Sequence, residues 1–170
     1  KIALVNEMAY SDSVIDLLSE AGYSGFIMDK DNIQLALNME NACISQMPSI
    51  AKGIGKSKLP ILWADSILFQ KLQHVSHGNI SIDDYLNFIK KRLSEKNFLL
   101  PLYSNDAETF DFRPGRFKEE SDEINLNEWL IIRKVIKKLA HDLDFEFISP
   151  SEAILIQNSK KKSNASFLTT

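Results

Sequence analysis

Asn97-Phe98-Leu99-Leu100-Pro101-Leu102-Tyr103-Ser104-Asn105-Asp106-Ala107-Glu108-Thr109-Phe110-Asp111-Phe112-Arg113-Pro114-Gly115-Arg116 is the most telling stretch of this 170-residue chain. Its apolar opening, Asn97 to Leu102, is short, lies between helical patterns and predicts a buried strand. The strand ends where Asn105, Asp106, Glu108 and Asp111 meet Arg113 and Arg116. In α/β folds, chemistry gathers at the carboxyl ends of strands. This block therefore reads as half of an active site. The other half must come from a distant strand end, and Glu7, after the strand-like run Ile2 to Asn6, is the best candidate.

Outward from that block, strands and helices alternate. Upstream, Ser11 reads as the N-cap of a helix with Val14, Leu17, Leu18 and Ala21 on its apolar face and Gly22 as its stop. Gly25 to Met28 is a second strand, ending at Asp29. A helix-compatible segment runs from Asp31 to about Glu40. Asn41 to Lys58 has no clean period and reads as a long connection. Leu59 to Trp63 is a third strand, ending at Ala64-Asp65-Ser66, and a helical segment, Ile67 to about Gln73, follows. Ser81 with Asp84 forms a capping-box pattern ahead of Ile82, Tyr85, Leu86, Ile89 and Leu93.

Downstream, Asn125 with Glu128 predicts the cap of the longest helix. Its stripe is read as Trp129, Ile132, Arg133, Ile136, Leu139, Ala140 and Leu143, with Arg133 snorkelling. Phe145 to Ile148 is a fifth strand, and Ser149-Pro150-Ser151-Glu152 starts a last helix. Five βα units in this order predict parallel strands joined by crossover helices. We expect part of a (β/α)7-type, TIM-like barrel over residues 1–158, and a polar tail or linker over 159–170. Residue 1 is Lys and the chain opens inside a strand-like run, so we expect barrel units N-terminal to it in a longer chain.

Composition narrows the function classes. The chain is 44% hydrophobic and 25% charged, with a net charge of -3 and a pI of about 5.6. No basic surface argues for nucleic acid as a partner. No apolar run approaches the roughly 20 residues of a membrane span. Cys43 is the only cysteine, which fits a reducing, cytoplasmic setting.

Several short motifs together resemble glycoside hydrolase family 57. Asn6-Glu7-Met8-Ala9-Tyr10-Ser11, followed by Leu17-Leu18-Ser19-Glu20-Ala21-Gly22-Tyr23, is similar to the family's nucleophile region. There a glutamate at a strand end precedes an aromatic-rich turn and a helix closing in LLxEAGY. Asp106-Ala107-Glu108-Thr109-Phe110 is similar to its acid/base block, and Trp63-Ala64-Asp65-Ser66 to a segment between them. Asn6 stands where the family often has proline, and Ala64 where it often has arginine.

The resemblance implies an amylase- or glucanotransferase-type enzyme acting on α-linked glucan, an oligo- or polysaccharide substrate, with no cofactor and no obligatory metal. It assigns Glu7 as nucleophile and Asp106 as acid/base. Retaining hydrolysis needs two such carboxyl groups about 5–5.5 Å apart, one ionised and one protonated.

Around them, Glu108 faces the same way as Asp106 if the strand continues, and it holds Asp106 protonated by repulsion, binds a sugar hydroxyl, or pairs with Arg113 or Arg116. Trp63 and Tyr103 are placed to stack on a sugar face, or serve as core aromatics. Asp65 is a hydroxyl ligand or a helix cap.

Two other signals read differently. Gly53-Ile54-Gly55-Lys56-Ser57 resembles the end of a phosphate loop, but Ile50 stands where the first glycine is required and a strand follows instead of a helix. His74 and His77 invite a second reading, a metal-dependent polysaccharide deacetylase-like enzyme. A third reading is a non-catalytic carbohydrate-binding barrel.

Overall fold

The computed structural model describes residues 1–5, 10–34, 37–39, 47–93, 127–143, 145–160 and 167–168. The fold is mixed α/β. The chain divides into two compact units, residues 1–65 with 148–170, and residues 66–147.

The first unit is built on a sheet. Its strands are β1 (Ile2–Leu4), β2 (Gly25–Asp29), β3 (Ile50–Lys52), β4 (Lys58–Ala64) and β5 (Phe167–Leu168), ordered β1-β2-β4-β3-β5. β1, β2 and β4 run parallel, as the alternating pattern predicts. β2 lies between two parallel neighbours and is apolar along most of its length, the composition of a strand covered on both faces. Ala3, Phe26, Met28, Ile61 and Trp63 enter one core with Ile15 of α1 (Asp12–Glu20). Gly22 ends α1 with φ 79, a conformation that glycine alone adopts freely. A Cβ on Gly25 would collide with Ile154 of the last helix, α6 (Pro150–Lys160).

Four expectations change here. β3 runs antiparallel to β4, so the sheet is mixed, and a barrel of parallel strands alone does not describe it. β3 lies inside the segment read as a connection; three residues are too few to show a period. Phe167–Leu168 pairs with β3, so part of the presumed polar tail belongs to the sheet. The short helix α2 (Asp31–Gln34) is over by Asn38, which turns to φ 51, and the Met39 N–H returns to the Gln34 carbonyl at 2.9 Å.

The second unit packs α3 (Ser66–Ser76), α4 (Ile82–Leu93) and α5 (Glu128–Asp142). Leu68, Leu72 and Val75 of α3 meet Tyr85 and Ile89 of α4 and Ile132, Val135 and Leu139 of α5. The capping box of α4 is formed: the Ser81 hydroxyl donates to Asp84 at 2.6 Å and accepts the Asp84 N–H at 3.0 Å. α5 is capped by Asn127, whose side chain accepts from the Leu130 N–H at 3.0 Å; the predicted Asn125 lies outside the described residues. Phe145 to Ile148 is not a strand. The Phe145 N–H is tied to the Leu139 carbonyl at 3.3 Å and its ring packs on the helical core, while Phe147 is exposed. No described helix is long and apolar enough to cross a membrane.

Candidate functional site

Parallel pairing aligns strand ends. In the β2–β4 register, Asp29 stands beside Ala64, so the residues after each strand emerge together. The Lys30 N–H extends the pairing by one step, donating to the Ala64 carbonyl at 3.0 Å. Asp29, Lys30 and Asp31 therefore meet Asp65 at one carboxyl rim, the position where α/β sheets place ligands.

The cluster is tightly connected. The Asp29 Oδ1 accepts the Asp31 N–H at 2.7 Å, which turns the chain into α2. The Lys30 Nζ lies 2.6 Å from Asp31 Oδ1 and 3.7 Å from Asp65 Oδ2. Asp29, Lys30 and Asp65 are buried, and so is Gln34 one turn further on. The Lys30 ammonium thus pairs with Asp31 and Asp65. Burial pushes the Asp29 carboxyl above the usual aspartate range, with the charges of Asp31 and Asp65 adding to the effect. The Asp31 N–H and Lys30 pull the other way. Such a set offers donors and acceptors to hydroxyl-bearing ligands. The same bonds also anchor α2 to the sheet.

The predicted site residues fare differently. Asp65 belongs to the cluster. Trp63 belongs to the core: it is 4% exposed, and its Nε1–H donates to the Pro48 carbonyl at 2.5 Å. Of its two readings, the core aromatic is the one that burial fits, since a ring enclosed on both faces has none to offer a sugar. Glu7, Tyr103, Asp106 and Glu108 lie outside the described residues, as do Arg113 and Arg116.

Sequence reasoning assigned no role to Asp29, Lys30 or Asp31. The signal was present, since the strand-end rule that singled out Glu7 and Asp65 applies equally to the end of β2.

Comparison with protein-family models, with curated proteins and with solved structures finds no match to this chain.

The two other motifs have a defined local geometry. Gly53 to Ser57 forms the tight turn between β3 and β4, where the Gly53 N–H reaches the Ser57 carbonyl at 2.9 Å. The Asp16 carboxylate of α1 sits on this turn and accepts the Gly55 N–H at 2.7 Å. That bond, with the Ser57 hydroxyl, holds the Asp16 carboxyl below the usual range. The turn thus carries an anion of its own chain. A Cβ on Gly53 would collide with that carboxylate. His74 contacts Asn79 at the end of α3, and His77 Nε2 lies 3.1 Å from Glu128 Oε1. Among the described residues, no group of three or more His, Cys, Asp and Glu side chains is arranged to hold a metal.

Proposed function

We propose that the chain is part of a retaining carbohydrate-active enzyme of the glycoside hydrolase family 57 type, acting on α-linked glucan. One structural observation carries this reading: β1, β2 and β4 lie side by side and parallel, with a buried acid–lysine cluster where β2 and β4 end. Glu7 follows β1 by three positions in the sequence. The order of the motifs around Glu7, Asp65 and Asp106 supports the same reading.

In this reading the three parallel strands are a segment of the barrel. Glu7 would attack the anomeric carbon and form the glycosyl-enzyme. Asp106 would protonate the leaving oxygen, then activate water or an acceptor sugar. Hydrolysis and transfer share that first half-reaction. Asp65 would hold a sugar hydroxyl, and Tyr103 and Glu108 would be further sugar contacts.

The test is turnover of maltooligosaccharide by the purified protein and by Glu7→Gln and Asp106→Asn. Each substitution should remove nearly all activity while leaving the fold intact. Near wild-type turnover in either variant would refute the assignment of roles. Glucan binding without turnover by the wild type would mean a non-catalytic carbohydrate-binding protein.

A further inference from the structure

The helix α5 carries apolar side chains on its outer side. Trp129, Leu130 and Ile136 are 46%, 52% and 41% exposed, and Ala140 is exposed as well. At about 100° per residue, Trp129, Ile136 and Ala140 fall within about 40° of one another and form a strip. The strip is about 16 Å long, three helical turns. It lies apart from the face that Ile132, Val135 and Leu139 turn to α3 and α4. The stripe read from the sequence thus divides: Ile132 and Leu139 enter the core, while Trp129, Ile136 and Ala140 stay outside it.

Cations run beside the strip. Arg133, Lys134 and Lys137 are exposed. None of the three pairs with an acid among the described residues, whereas Lys138 is held by Asp83 at 3.1 Å and Asp142 at 3.8 Å. Arg133 and Lys137 stand four residues apart and Lys134 and Lys137 three apart, spacings at which like charges weaken a helix. The face therefore joins an apolar ridge to a self-repelling positive row. One complement meets both: apolar side chains flanked by carboxylates.

We propose that this face of α5 is the docking surface for an acidic amphipathic helix of a partner protein.

The partner's apolar side lies along Trp129, Ile136 and Ala140, and its acids reach Arg133, Lys134 and Lys137. The ridge has the length and width of one helix–helix contact. A second copy of α5 would bring the same cations to the face, and like charges across an interface oppose association. An apolar arc of about 40° also falls short of the wide apolar face with which a helix lies in a membrane interface. The proposal is independent of the glucan reading, since neither Glu7 nor Asp106 enters it.

The experiment uses the whole 170-residue chain. The probe is a fluorescein-labelled synthetic peptide of three heptads, with Leu at positions a and d and Glu at e and g. Binding is followed by fluorescence anisotropy at about 0.05 M and about 0.5 M salt. The acidic peptide should bind, and bind more weakly at the higher salt. A peptide with Lys in place of Glu should not bind. Arg133→Glu combined with Lys137→Glu should weaken binding at least about tenfold, and so should Ile136→Ser. Arg133→Gln with Lys137→Gln is the milder change. It should weaken binding by a smaller factor while keeping or raising the urea midpoint, because the self-repulsion is gone.

No binding of the acidic peptide, or binding that none of these variants weakens, would overturn the proposal. A chain that sediments as a dimer, with the dimer lost in Ile136→Ser, would assign the face to a second copy instead. Flotation with phosphatidylserine vesicles that the double charge reversal abolishes would assign it to a membrane, and either result would overturn the proposal too.

Discussion

Trp63→Phe separates the two roles that an aromatic residue near a strand end can play. The indole Nε1–H donates to the Pro48 carbonyl, and both residues are buried. Phenylalanine leaves that carbonyl without its donor, a loss of about 1–3 kcal/mol. The smaller ring also leaves roughly 40 Å³ empty, which at about 24 cal/mol per Å³ is about 1 kcal/mol more. The sheet unit should lose about 2–4 kcal/mol. With a urea dependence of about 2 kcal/mol per molar, its unfolding midpoint should fall by about 1–2 M.

Urea unfolding followed by far-ultraviolet circular dichroism measures this. Trp129→Phe is the control, because Trp129 is far more exposed than Trp63 and its loss should cost less. A sugar-stacking tryptophan would behave in the opposite way, losing glucan affinity at nearly unchanged stability. A Trp63→Phe protein as stable as wild type would refute the core assignment.

Two further outcomes follow from the cluster and the turn. Asp29 holds its proton to higher pH in the folded chain than in the unfolded one, so the folded state binds more protons between the ordinary aspartate value and the raised one. Stability should therefore fall as pH rises through that window. Asp29→Asn keeps an oxygen for the Asp31 N–H, and should lose that slope and exceed wild-type stability at neutral pH; parallel pH profiles of the urea midpoint would contradict this. Gly53→Ala should lower the urea midpoint because the new methyl displaces Asp16, yet be neutral or stabilising in an Asp16→Ala background, where only the gain from a stiffer unfolded chain remains. An equal loss in both backgrounds would show that Asp16 is not the obstacle.

The elements with strong local signals were legible. Alternating apolar runs and helical periods gave β1, β2, β4 and their parallel order. The Ser81–Asp84 box was legible, and so was the Ser149 start of α6, where the Ser149 N–H and hydroxyl both reach Glu152, at 2.8 and 2.7 Å. These patterns declare themselves because one residue binds another three positions away. What failed depended on partners distant in sequence. β3 and β5 exist by pairing with each other and with β4, and strands of three and two residues carry no period of their own.

Phe145 and Phe147 alternate like a strand, but alternation names a face and not a partner. Two helix faces were read partly out of phase. Ile15 is buried on α1 while Leu17 is exposed, and Val135 is buried on α5 while Ile136 is exposed, because a stripe wider than the contact leaves its edge residues in solvent. At the site, Asp65 was found by its place after a strand. Lys30 was missed because a lysine between two aspartates reads as a solvated charge run until the adjacent strand end is brought beside it.

The central claim is that Glu7 becomes covalently bound to a sugar during the reaction. Incubation with an activated fluoro-sugar that forms the glycosyl-enzyme quickly and releases it slowly, followed by peptide mapping by mass spectrometry, tests it directly. The account predicts one glycosyl adduct, on the peptide containing Glu7, absent in Glu7→Gln. An adduct on another residue, or equal labelling of Glu7→Gln, would contradict it.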